Sequence, residues 1–468
     1  MDNITAHQED LFTLRNMLGM SEELAEDILA KTILITIDSL DSIAVTTLIF
    51  LKAVLSRTVS HVADEFIEHP DIEITINHSS PKTDAQKIFV LIADNKIEIS
   101  KNPIIYKHNT LKLHNSLLLL AATYVSAFTL RHIIGHNSKL PIPQDKMVID
   151  FSSLFSDMTF FDREIDVEKM YLAGSGAIGN AFLYALKEFK IKGELVITDP
   201  DYISDGNLNR CIWFDKSMIG KNKAETIASL AQPYFPNLKL YAHPGFLNTV
   251  PERNSDDKWL KRLVVGVDSR RARRGLQSEI PGEVFDASTT NIEETVFHFH
   301  KRPLDGNACL ECIYHEDAIE NAHEKHIAES LGISLLAVKD LNINHETALK
   351  IIKKYPKLTE DRLIGLSYDT LFKELCGKGK LHVEGEQQIY APFGFVSVLA
   401  GTILAIETVR RIKTNANDYN YWKLSPWTEP VPRLKQYWKK NNNCSFCNSI
   451  KKSEFADILW SEINHSKK

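Results

Sequence analysis

The residues with the clearest chemical meaning follow an apolar strand near position 170. The strand leads into GSGAIG, which contains Gly174, Gly176 and Gly179. Glycines at this spacing let the chain turn tightly, let the backbone approach a phosphate, and let the next helix pack closely with its N-terminal amides facing the anion. Asp199 ends the next strand, where a carboxylate can accept hydrogen bonds from ribose hydroxyls. The pattern predicts a nucleotide site, but it fits a dinucleotide dehydrogenase equally well.

Charged and amide side chains come next, in an order that a dehydrogenase does not require. They are Asp201, Asn207, Asn209, Arg210 and Lys223. An enzyme that adenylates a carboxylic acid must neutralise charge at the α-phosphate of ATP while a carboxylate, itself an anion, attacks it. Arg210 and Lys223 supply that positive charge, although each cation taken singly fits a solvated surface position. The ordered set favours acyl adenylation.

Asp268 stands at the end of another predicted strand, RLVVGV. A carboxylate at this edge is placed to hold the Mg²⁺ that bridges phosphate oxygens. The competing interpretation is an ordinary helix N-cap, because Ser269 and an arginine-rich helix follow. The arginines of this helix are Arg270, Arg271, Arg273 and Arg274. We interpret them as a solvated face that also receives phosphates or an acidic partner.

The cysteines predict a metal site. There are six, too few for a disulfide scaffold in a chain of this size, and four of them form two CxxC pairs. The pairs are Cys309 with Cys312 and Cys444 with Cys447. Two pairs complete the four-sulfur shell of a tetrahedral Zn²⁺ site, whereas a redox CxxC usually occurs singly. We therefore expect structural zinc that ties the C-terminal tail to the middle of the chain.

Two histidine pairs lack cysteine or carboxylate partners at ligand spacing. His298 and His300 alternate as on a strand, and His323 and His326 lie one helical turn apart. We expect surface or packing roles for both pairs.

Composition argues against several classes of function. The 468 residues carry 55 Lys and Arg against 61 Asp and Glu, a net charge of -6, which is unlike a protein that wraps nucleic acid. The N-terminus has neither the basic start nor the apolar core of a secretory signal, so a cytoplasmic location is expected. The longest uncharged runs, residues 114–130 and 389–406, are interpreted as buried helices and not as membrane spans.

Residues 1–150 predict an α/β domain. KTILITI, DIEITIN and KIFVLIA are typical of strands, residues 39–55 of a helix, and residues 116–134 of a long apolar helix. The domain has DSLDSIAV where a phosphate loop should stand. It therefore echoes the glycine-bearing unit without its catalytic residues.

Three further zones follow along the chain. Residues 151–312 contain the strand-glycine-helix-strand unit, and residues 313–390 are charged and mostly helical. Residues 391–468 contain a glycine-bearing helix, a Trp- and Pro-rich piece and the second CxxC. The charged zone separates the first CxxC from the glycine-bearing helix, which predicts a helical insertion.

Seven blocks of sequence, taken in order, resemble the ThiF family. They are GSGAIG, ITDPDYISDGNLNR, GKNKAE, VVGVDSRRAR, ACLEC, GFVSVLAGTILAIETVRRI and CSFC. The family comprises the adenylyltransferases of thiamine and molybdopterin synthesis and the ubiquitin-activating enzymes. The resemblance implies a Rossmann-like adenylation domain that uses ATP and Mg²⁺.

The resemblance also implies roles for individual residues. It assigns ribose binding to Asp199, phosphate binding to Asn207, Arg210 and Lys223, and magnesium binding to Asp268. Asp201, Asn209 and the family-matching Arg273 complete the expected nucleotide site. Two positions depart from the pattern, because Gly206 and Cys211 stand where the family usually has Ser and Gln. Loss of the Gln side chain removes one polar contact near the phosphates.

The ubiquitin-activating branch of the family pairs an active adenylation domain with an inactive copy, and residues 1–150 resemble such a copy. The opening, LFTLRNMLGMSEELAEDILAKTILIT, resembles the family's start, where a helix offers an arginine across the dimer interface. Arg15 is the nearest candidate for that arginine. Family members of the cofactor pathways work as symmetric dimers, so a homodimer stays open.

Two cysteines, Cys211 and Cys376, remain as possible nucleophiles. Cys211 abuts Arg210 and is interpreted as part of the pocket wall. Cys376 lies near several lysines, where positive charge favours a thiolate. It also belongs to the segment that resembles the family's crossover loop, which carries the catalytic cysteine in members that form a thioester. The alternative is a half-buried structural cysteine.

The sequence thus predicts an E1-like activating enzyme. Such an enzyme adenylates the C-terminal carboxylate of a ubiquitin-like protein and passes it to Cys376 as a thioester, for use by an E2-like conjugating enzyme. The compact size resembles activating enzymes of bacterial conjugation operons linked to antiviral defence against phage. The alternatives are a peptide or sulfur-carrier adenylyltransferase without a thioester step, a dinucleotide oxidoreductase, and a non-catalytic peptide-recognition scaffold.

Overall fold

Two α/β units, each built around its own sheet, organise the protein. The computed structural model describes residues 7–38, 40–78, 80–105, 113–290, 292–316, 318–340, 342–377 and 392–464. The first sheet has six strands and the second has eight. This confirms the α/β fold that the sequence predicted.

The first unit consists of residues up to position 154. Its strands are β1 (Thr32–Ile37), β2 (His61–Ala63), β3 (Ile72–Ile76), β4 (Gln86–Ala93), β5 (Lys96–Ser100) and β6 (Lys146–Asp150). Its helices are α1 (His7–Phe12), α2 (Glu22–Ala30), α3 (Ser42–Leu55), α4 (Asn115–Ile134) and α5 (Phe151–Leu154). The central strands β1 and β3 are rich in β-branched residues and largely buried, as expected of a sheet covered on both faces.

The second unit contains the glycine-bearing segment. Its strands are β7 (Ile165–Ala173), β8 (Ile191–Thr198), β9 (Asn237–His243), β10 (Arg262–Val265), β11 (Glu283–Thr290), β12 (Glu294–Lys301), β13 (Tyr421–Leu424) and β14 (Lys435–Gln436). Its helices are α6 (Ala177–Leu186), α7 (Lys223–Ala231), α8 (Arg270–Ser278), α9 (Leu310–Ile313), α15 (Gly394–Thr414) and α16 (Ile450–Leu459). Between α9 and α15 lie the insertion helices α10 (Ala318–Leu331), α11 (Leu335–Lys339), α12 (His345–Lys354), α13 (Glu360–Leu363) and α14 (Tyr368–Gly377).

The two sheets share one topology. The second runs β14-β13-β12-β11-β10-β7-β8-β9, parallel from β9 to β11 and antiparallel from β11 to β14. The first runs β2-β1-β3-β4-β5-β6, parallel from β2 to β4 and antiparallel beyond. In the second sheet, β8 and β9 lie on one side of β7, and β10 lies on the other side. In the first sheet, β2 and β3 flank β1 in the same way. Such a reversal of strand order creates the switch point where Rossmann-like sheets bind ligands. The first unit is therefore a structural copy of the second that lacks some outer strands.

The switch point of the first unit is closed by its own carboxylate. Asp41 caps α3, and its Oδ1 accepts hydrogen bonds from the backbone amides of Ile43 (2.9 Å) and Ala44 (3.2 Å). Its other oxygen accepts from the side-chain amide of Asn77 at 2.7 Å. The positive end of this helix thus already holds an anion where a nucleotide phosphate would lie. These contacts leave the start of α3 capped by a side chain, unlike the start of α6.

Helices α3 and α4 of the first unit pack against α6 and α15 of the second, and the core is continuous through this layer. Nearly all of α4 is buried. Among the described helices, α4 is the one that is long and apolar enough to span a membrane, yet 89% of its 18-residue apolar window is buried inside the protein. The apolar run is thus accounted for by packing between the units, as the sequence interpretation expected.

The helical insertion leaves the second unit after β12 and returns before β13, although these two strands are direct neighbours. Its helices α10 to α14 bury a separate apolar core, which includes Ile327, Leu331, Ile351 and Leu371. An insertion with its own core can form without altering the sheet. The insertion at residues 313–390 stays a prediction, and its described helices have an apolar core of their own.

Gly401 lies where α15 crosses α6. A Cβ atom at this position would stand 2.5 Å from the backbone nitrogen of Phe182, and it would also overlap Ala181. A backbone neighbour cannot move aside as a flexible side chain can. We expect Gly401→Ala to destabilise the protein by about 1–3 kcal/mol, because overpacking outweighs the better helix propensity of Ala. Urea unfolding followed by circular dichroism measures the change.

Thr414 supplies the matched control for that substitution. It stands at the exposed end of the same helix. Thr414→Ala is expected to change stability by no more than about 0.5 kcal/mol. If the Gly401→Ala and Thr414→Ala proteins unfold at the same urea concentration, the close helix crossing is not a constraint.

Candidate nucleotide-binding site

The glycine turn joins β7 to α6 at the carboxyl edge of the second sheet. Gly174 has a φ of +88°, a conformation that side chains disfavour, and a Cβ on Gly179 would collide with the carbonyl oxygen of Gly174. Gly176 is the N-cap of α6 and caps it without a side chain. The backbone amides of this helix start therefore stay available to an anion. The turn has the geometry that the sequence pattern predicted.

Asp199 fastens the end of β8 to this turn. Its Oδ2 accepts hydrogen bonds from the Ser175 amide (2.7 Å) and hydroxyl (3.1 Å), and its Oδ1 accepts from the Asp201 amide (2.9 Å). Burial raises the pKa of Asp199, although the Lys223 ammonium opposes the shift. The carboxylate therefore shapes the glycine turn, and its role as a ribose acceptor stays a prediction.

Lys223 begins α7 and is buried beside these acids. Its Nζ lies 3.0 Å from Asp201 Oδ2, and its side chain is only 9% exposed. Burial alone would lower the pKa of Lys223, but the carboxylates of Asp201 and Asp199 outweigh burial and raise it. The lysine is therefore a fixed, protonated cation at neutral pH. The structure excludes the alternative that Lys223 is a solvated surface residue.

The segment between β8 and α7 carries the remaining predicted phosphate ligands. Asn207 Oδ1 accepts from the amide (3.0 Å) and hydroxyl (3.3 Å) of Ser204, which closes a capping box on a short turn. Arg210 Nη1 donates to the carbonyl of Gly206 (2.5 Å) and to Asn209 Oδ1 (2.9 Å). These contacts hold the segment between β8 and α7 in one conformation and fix the orientation of the Arg210 side chain. They assign loop-holding roles to the two asparagines.

Asp268 follows β10 at the same edge of the sheet. The Gly266 amide donates to the Ala173 carbonyl at 2.8 Å, which places the β10 turn directly beside the glycine turn. The helix N-cap is Ser269, whose hydroxyl accepts from the Ala272 amide. The competing interpretation of Asp268 as the cap is therefore wrong. Its exposed carboxylate remains a candidate oxygen ligand for Mg²⁺.

Arg273 does not join the nucleotide site, which corrects the sequence expectation. It is buried, and its guanidinium contacts the Asp286 carboxylate, the Val267 carbonyl and, at 3.4 Å, the Tyr314 hydroxyl. Tyr314 in turn donates to Asp286 Oδ2 at 2.5 Å. Arg273 thus stabilises the turn after β10 through the Val267 carbonyl, and its positive charge is paired with the Asp286 carboxylate.

Of the other α8 arginines, Arg270 is exposed, whereas Arg271 and Arg274 are not part of a solvated face. Arg271 pairs with Glu324 (3.1 Å) and Asp369 (2.5 Å), and Arg274 pairs with Glu320 (2.7 Å). The acidic partners belong to α10 and α14 of the helical insertion. The cluster therefore docks the insertion onto the second unit within the same chain.

The four CxxC cysteines converge as predicted. Cys309 Sγ lies 3.7 Å from both Cys312 Sγ and Cys444 Sγ and 3.5 Å from Cys447 Sγ. A disulfide would require about 2.0 Å, whereas a tetrahedral zinc with bonds of about 2.3 Å separates its sulfurs by about 3.8 Å. All four side chains are buried, and all their sulfurs lie within 4.8 Å of one another. The sulfur arrangement fits a zinc ion held without an open position.

Amide donors support this ligand set. The backbone N–H groups of Asn441 and Cys447 point at Cys312 Sγ (3.2 Å) and Cys444 Sγ (3.3 Å). Such bonds orient thiolates and offset their negative charge. The cluster joins the start of the insertion to the C-terminal tail, as the sequence predicted.

His298 and His300 are buried side by side on β12, with ring centroids 5.2 Å apart. Burial lowers the pKa of His298 to about 4, so the ring is neutral and its Nε2 contacts the Ala308 carbonyl at 3.1 Å. The packing interpretation is confirmed for this pair, and the surface interpretation is wrong. His323 and His326 are partly buried against Phe372 of α14.

Three further predicted residues have different outcomes. Cys211 is fully buried, and burial raises the pKa of its thiol, in agreement with a place in the pocket wall. Arg15 is at the surface, where it pairs with Glu22 at 3.1 Å. The backbone of Cys376 belongs to α14, but its side chain and residues 378–391 lie outside the described part of the structure.

Sequence reasoning missed several residues that hold the site together. Asn222 caps α7 and donates from its Nδ2 to the carbonyls of Asp199 (3.0 Å) and Asp201 (3.2 Å). An asparagine before a helical lysine was a detectable capping signal. Asp10 and Arg57 contact the Asn209 segment from the first unit, and no local pattern could have revealed contacts so distant in sequence.

Comparison with known proteins gives matches over both units. Residues 161–446 match the ThiF family, and residues 3–155 match the E1 N-terminal domain. Protein y4jF of Sinorhizobium fredii is 24% identical over 273 residues, which are 53% of this chain and 50% of that protein. Human ubiquitin-like modifier-activating enzyme 1 is 27% identical over 140 residues, 26% of this chain and 13% of that protein. The chain thus spans half or less of the length of these relatives.

Among solved structures, Escherichia coli MccB with ATP aligns at 16% identity and a TM-score of 0.33, covering 60% of this chain and 66% of that chain. The sequence match to ThiF, by contrast, extends through the glycine turn, the Lys223 helix, the first CxxC and the glycine-bearing helix α15. Because this match spans well over half of the 468 residues, the chain belongs to the ThiF family, as its seven motifs predicted.

Proposed function

We propose that the protein is an E1-like activating enzyme that adenylates the C-terminal carboxylate of a ubiquitin-like protein with ATP. The observation that carries this proposal is the buried, protonated Lys223 beside Asp201 and Asp199, at the same sheet edge as the start of α6, which no side chain caps. A dinucleotide oxidoreductase does not need a buried cation at this point. A phosphoryl group under attack by an anion does.

The chemistry requires charge stabilisation more than proton transfer. The attacking carboxylate is already ionised, so its oxygen bonds to the α-phosphorus while the bond to the β-phosphate oxygen breaks and pyrophosphate leaves. Lys223 and Arg210 offset the negative charge that builds on the α-phosphate. Asp199 is placed to accept hydrogen bonds from ribose hydroxyls. Each group is held by neighbours before substrate arrives, so little reorganisation is needed.

Asp268 would hold Mg²⁺ at this edge. It is an exposed carboxylate on the turn next to the glycines, and Mg²⁺ prefers one or two carboxylates together with phosphate oxygens. The bound ion would supply positive charge to the phosphates.

The second step of the proposal is transfer to Cys376. Its thiolate would attack the carbonyl carbon of the acyl adenylate and form a thioester, and AMP would leave. The match of residues 3–155 to the E1 N-terminal domain and the helical insertion that carries Cys376 support an E1-like protein over a simpler relative. An E2-like partner and a role in antiviral defence belong to the same proposal. The alternative is a peptide or sulfur-carrier adenylyltransferase, which needs the same ATP site without Cys376.

Lys223→Ala tests the adenylation step. We expect at least a 100-fold loss of pyrophosphate release when the chain is incubated with ATP, Mg²⁺ and candidate small β-grasp proteins, because the buried cation no longer stabilises the α-phosphate. Lys221→Ala, two residues away and exposed, is the matched control and should keep nearly full activity. A Lys223→Ala protein as active as this control would contradict the proposal.

Cys376→Ala separates the two candidate functions. An E1-like enzyme with this change should still release pyrophosphate but should form no adduct that is sensitive to thiols on a non-reducing gel. Cys211→Ala controls for loss of a buried cysteine and should retain the adduct. If Cys376→Ala completes the full cycle of the wild type, the thioester step is wrong and the alternative function is favoured.

We also expect about one Zn²⁺ per chain, measured by inductively coupled plasma mass spectrometry. Cys444→Ser should remove most of it and lower the melting temperature, because structural zinc contributes directly to folding. Cys211→Ser should keep the metal. Full zinc retention in Cys444→Ser would show that the cluster is not the site.

A further inference from the structure

The first unit contributes buried polar contacts to the nucleotide site of the second, although its own switch point is closed. Asp10 of α1 is fully buried, and its Oδ1 accepts from Asn209 Nδ2 at 2.9 Å. Asn209 Oδ1 accepts in turn from Arg210 Nη1 at 2.9 Å. Carboxyl, amide and guanidinium thus form a continuous chain of hydrogen bonds from the first unit to the arginine of the site.

The direction of the Asn209 amide depends on Asp10. A flipped amide would point its NH₂ group at the Arg210 guanidinium and its oxygen at the Asp10 carboxyl, so a donor would face a donor and an acceptor would face an acceptor. Only one orientation satisfies both neighbours. Without an acceptor at position 10, only the Arg210 guanidinium orients the amide, and the Asn209 NH₂ group loses its Asp10 partner.

Arg57 holds the backbone of the same segment. It follows α3 in the first unit, and its guanidinium donates to the carbonyls of Leu208 (2.7 Å), Ile212 (2.8 Å) and Phe214 (2.9 Å). These carbonyls lie on both sides of Arg210, in the irregular backbone between β8 and α7. A buried carbonyl must find a donor, and here the other unit supplies three.

The first residue of α15 closes the arrangement. A Cβ on Gly394 would lie 2.5 Å from the Asn209 carbonyl oxygen and 3.0 Å from Arg57 Cβ. Asn209 is therefore enclosed by α1, by Arg57 and by the start of α15. The segment can take this shape only while the two units are docked.

We infer that Asp10 and Arg57 are positioning residues: the first unit aims Arg210 of the second through the Asp10–Asn209–Arg210 chain and through the Arg57 carbonyl contacts. This inference deepens the proposed function and rests on it for the role of Arg210. It gives the inactive copy a physical task in adenylation, which is to complete the phosphate site in the same chain.

A double-mutant cycle on the full chain tests the Asp10 contact, with ATP·Mg²⁺ affinity measured by isothermal titration calorimetry. Asp10→Leu should weaken ATP binding about five- to tenfold. In a protein that already carries Arg210→Ala, the same change should weaken binding less than twofold, because residues of one hydrogen-bond network do not act additively. Asp10→Asn keeps an acceptor of the same shape and should bind within twofold of the wild type. Lys52→Ala, in an exposed pair with Asp64, is the control and should not change binding.

The opposite results would overturn the inference. If the Asp10→Leu protein binds ATP like the wild type, Asp10 does not act through Arg210. The same conclusion follows if Asp10→Leu weakens ATP binding equally in the presence and absence of the Arg210 side chain. If Asp10→Asn is as damaging as Asp10→Leu, an acceptor is not what the site needs.

Hydrogen–deuterium exchange gives a readout that does not depend on ATP or on Asp10→Leu folding. Arg57→Met should speed exchange of the amides in residues 205–214 at least fivefold and leave the β7–α6 turn unchanged, whereas Lys52→Ala should change neither. Unchanged exchange at 205–214 would refute the Arg57 contact. A wild type that fails to bind ATP would refute the proposed function, while the exchange result would still decide whether the first unit orders the segment.

Discussion

The docking of α4 and α3 against α6 and α15 is the constraint on which the rest of the structure depends. It buries nearly all of α4, joins the two units in one continuous core, and brings Arg57, which follows α3, next to the segment that follows β8. Within the second unit, α15 crosses α6 so closely that Gly401 has no room for a methyl group. Because interiors packed to this density move little, the positions of side chains at the sheet edge are fixed by this helix layer.

Within that frame the site is built from charges that compensate one another. Lys223 loses hydration in its buried position, and the carboxylates of Asp201 and Asp199 keep it protonated. Asp199 is itself satisfied by amides of the glycine turn and of Asp201. A cation held in this way needs no rearrangement when charge develops on a phosphate, which is the condition under which electrostatic stabilisation is most effective. The same local contacts explain why the residues occur close together in sequence.

Functional residues that lie close together in the sequence could be predicted, and those that lie far apart could not. The glycine turn, Asp199, Lys223 and the four cysteines are recognisable because strand ends, helix starts and ligand pairs impose short, fixed spacings. The topology of the first unit could also be anticipated from its strand and helix pattern. Arg273 illustrates the limit. Its match to a family arginine suggested a place in the nucleotide site, but it is buried in an ion pair with Asp286 of the next strand. Asp10 and Arg57 were invisible for a stronger reason, since their partners lie far along the chain and no periodicity connects them.

The insertion leaves and rejoins the sheet between two adjacent antiparallel strands, β12 and β13. The helices between α9 and α15 bury a core of their own, so the sheet places little restriction on the length or content of that module. The four-cysteine cluster joins α9, which precedes the insertion, to the C-terminal segment that carries Cys444 and Cys447. With this arrangement, the helical module can be enlarged, shortened or replaced during evolution while the sheet and the glycine turn stay intact.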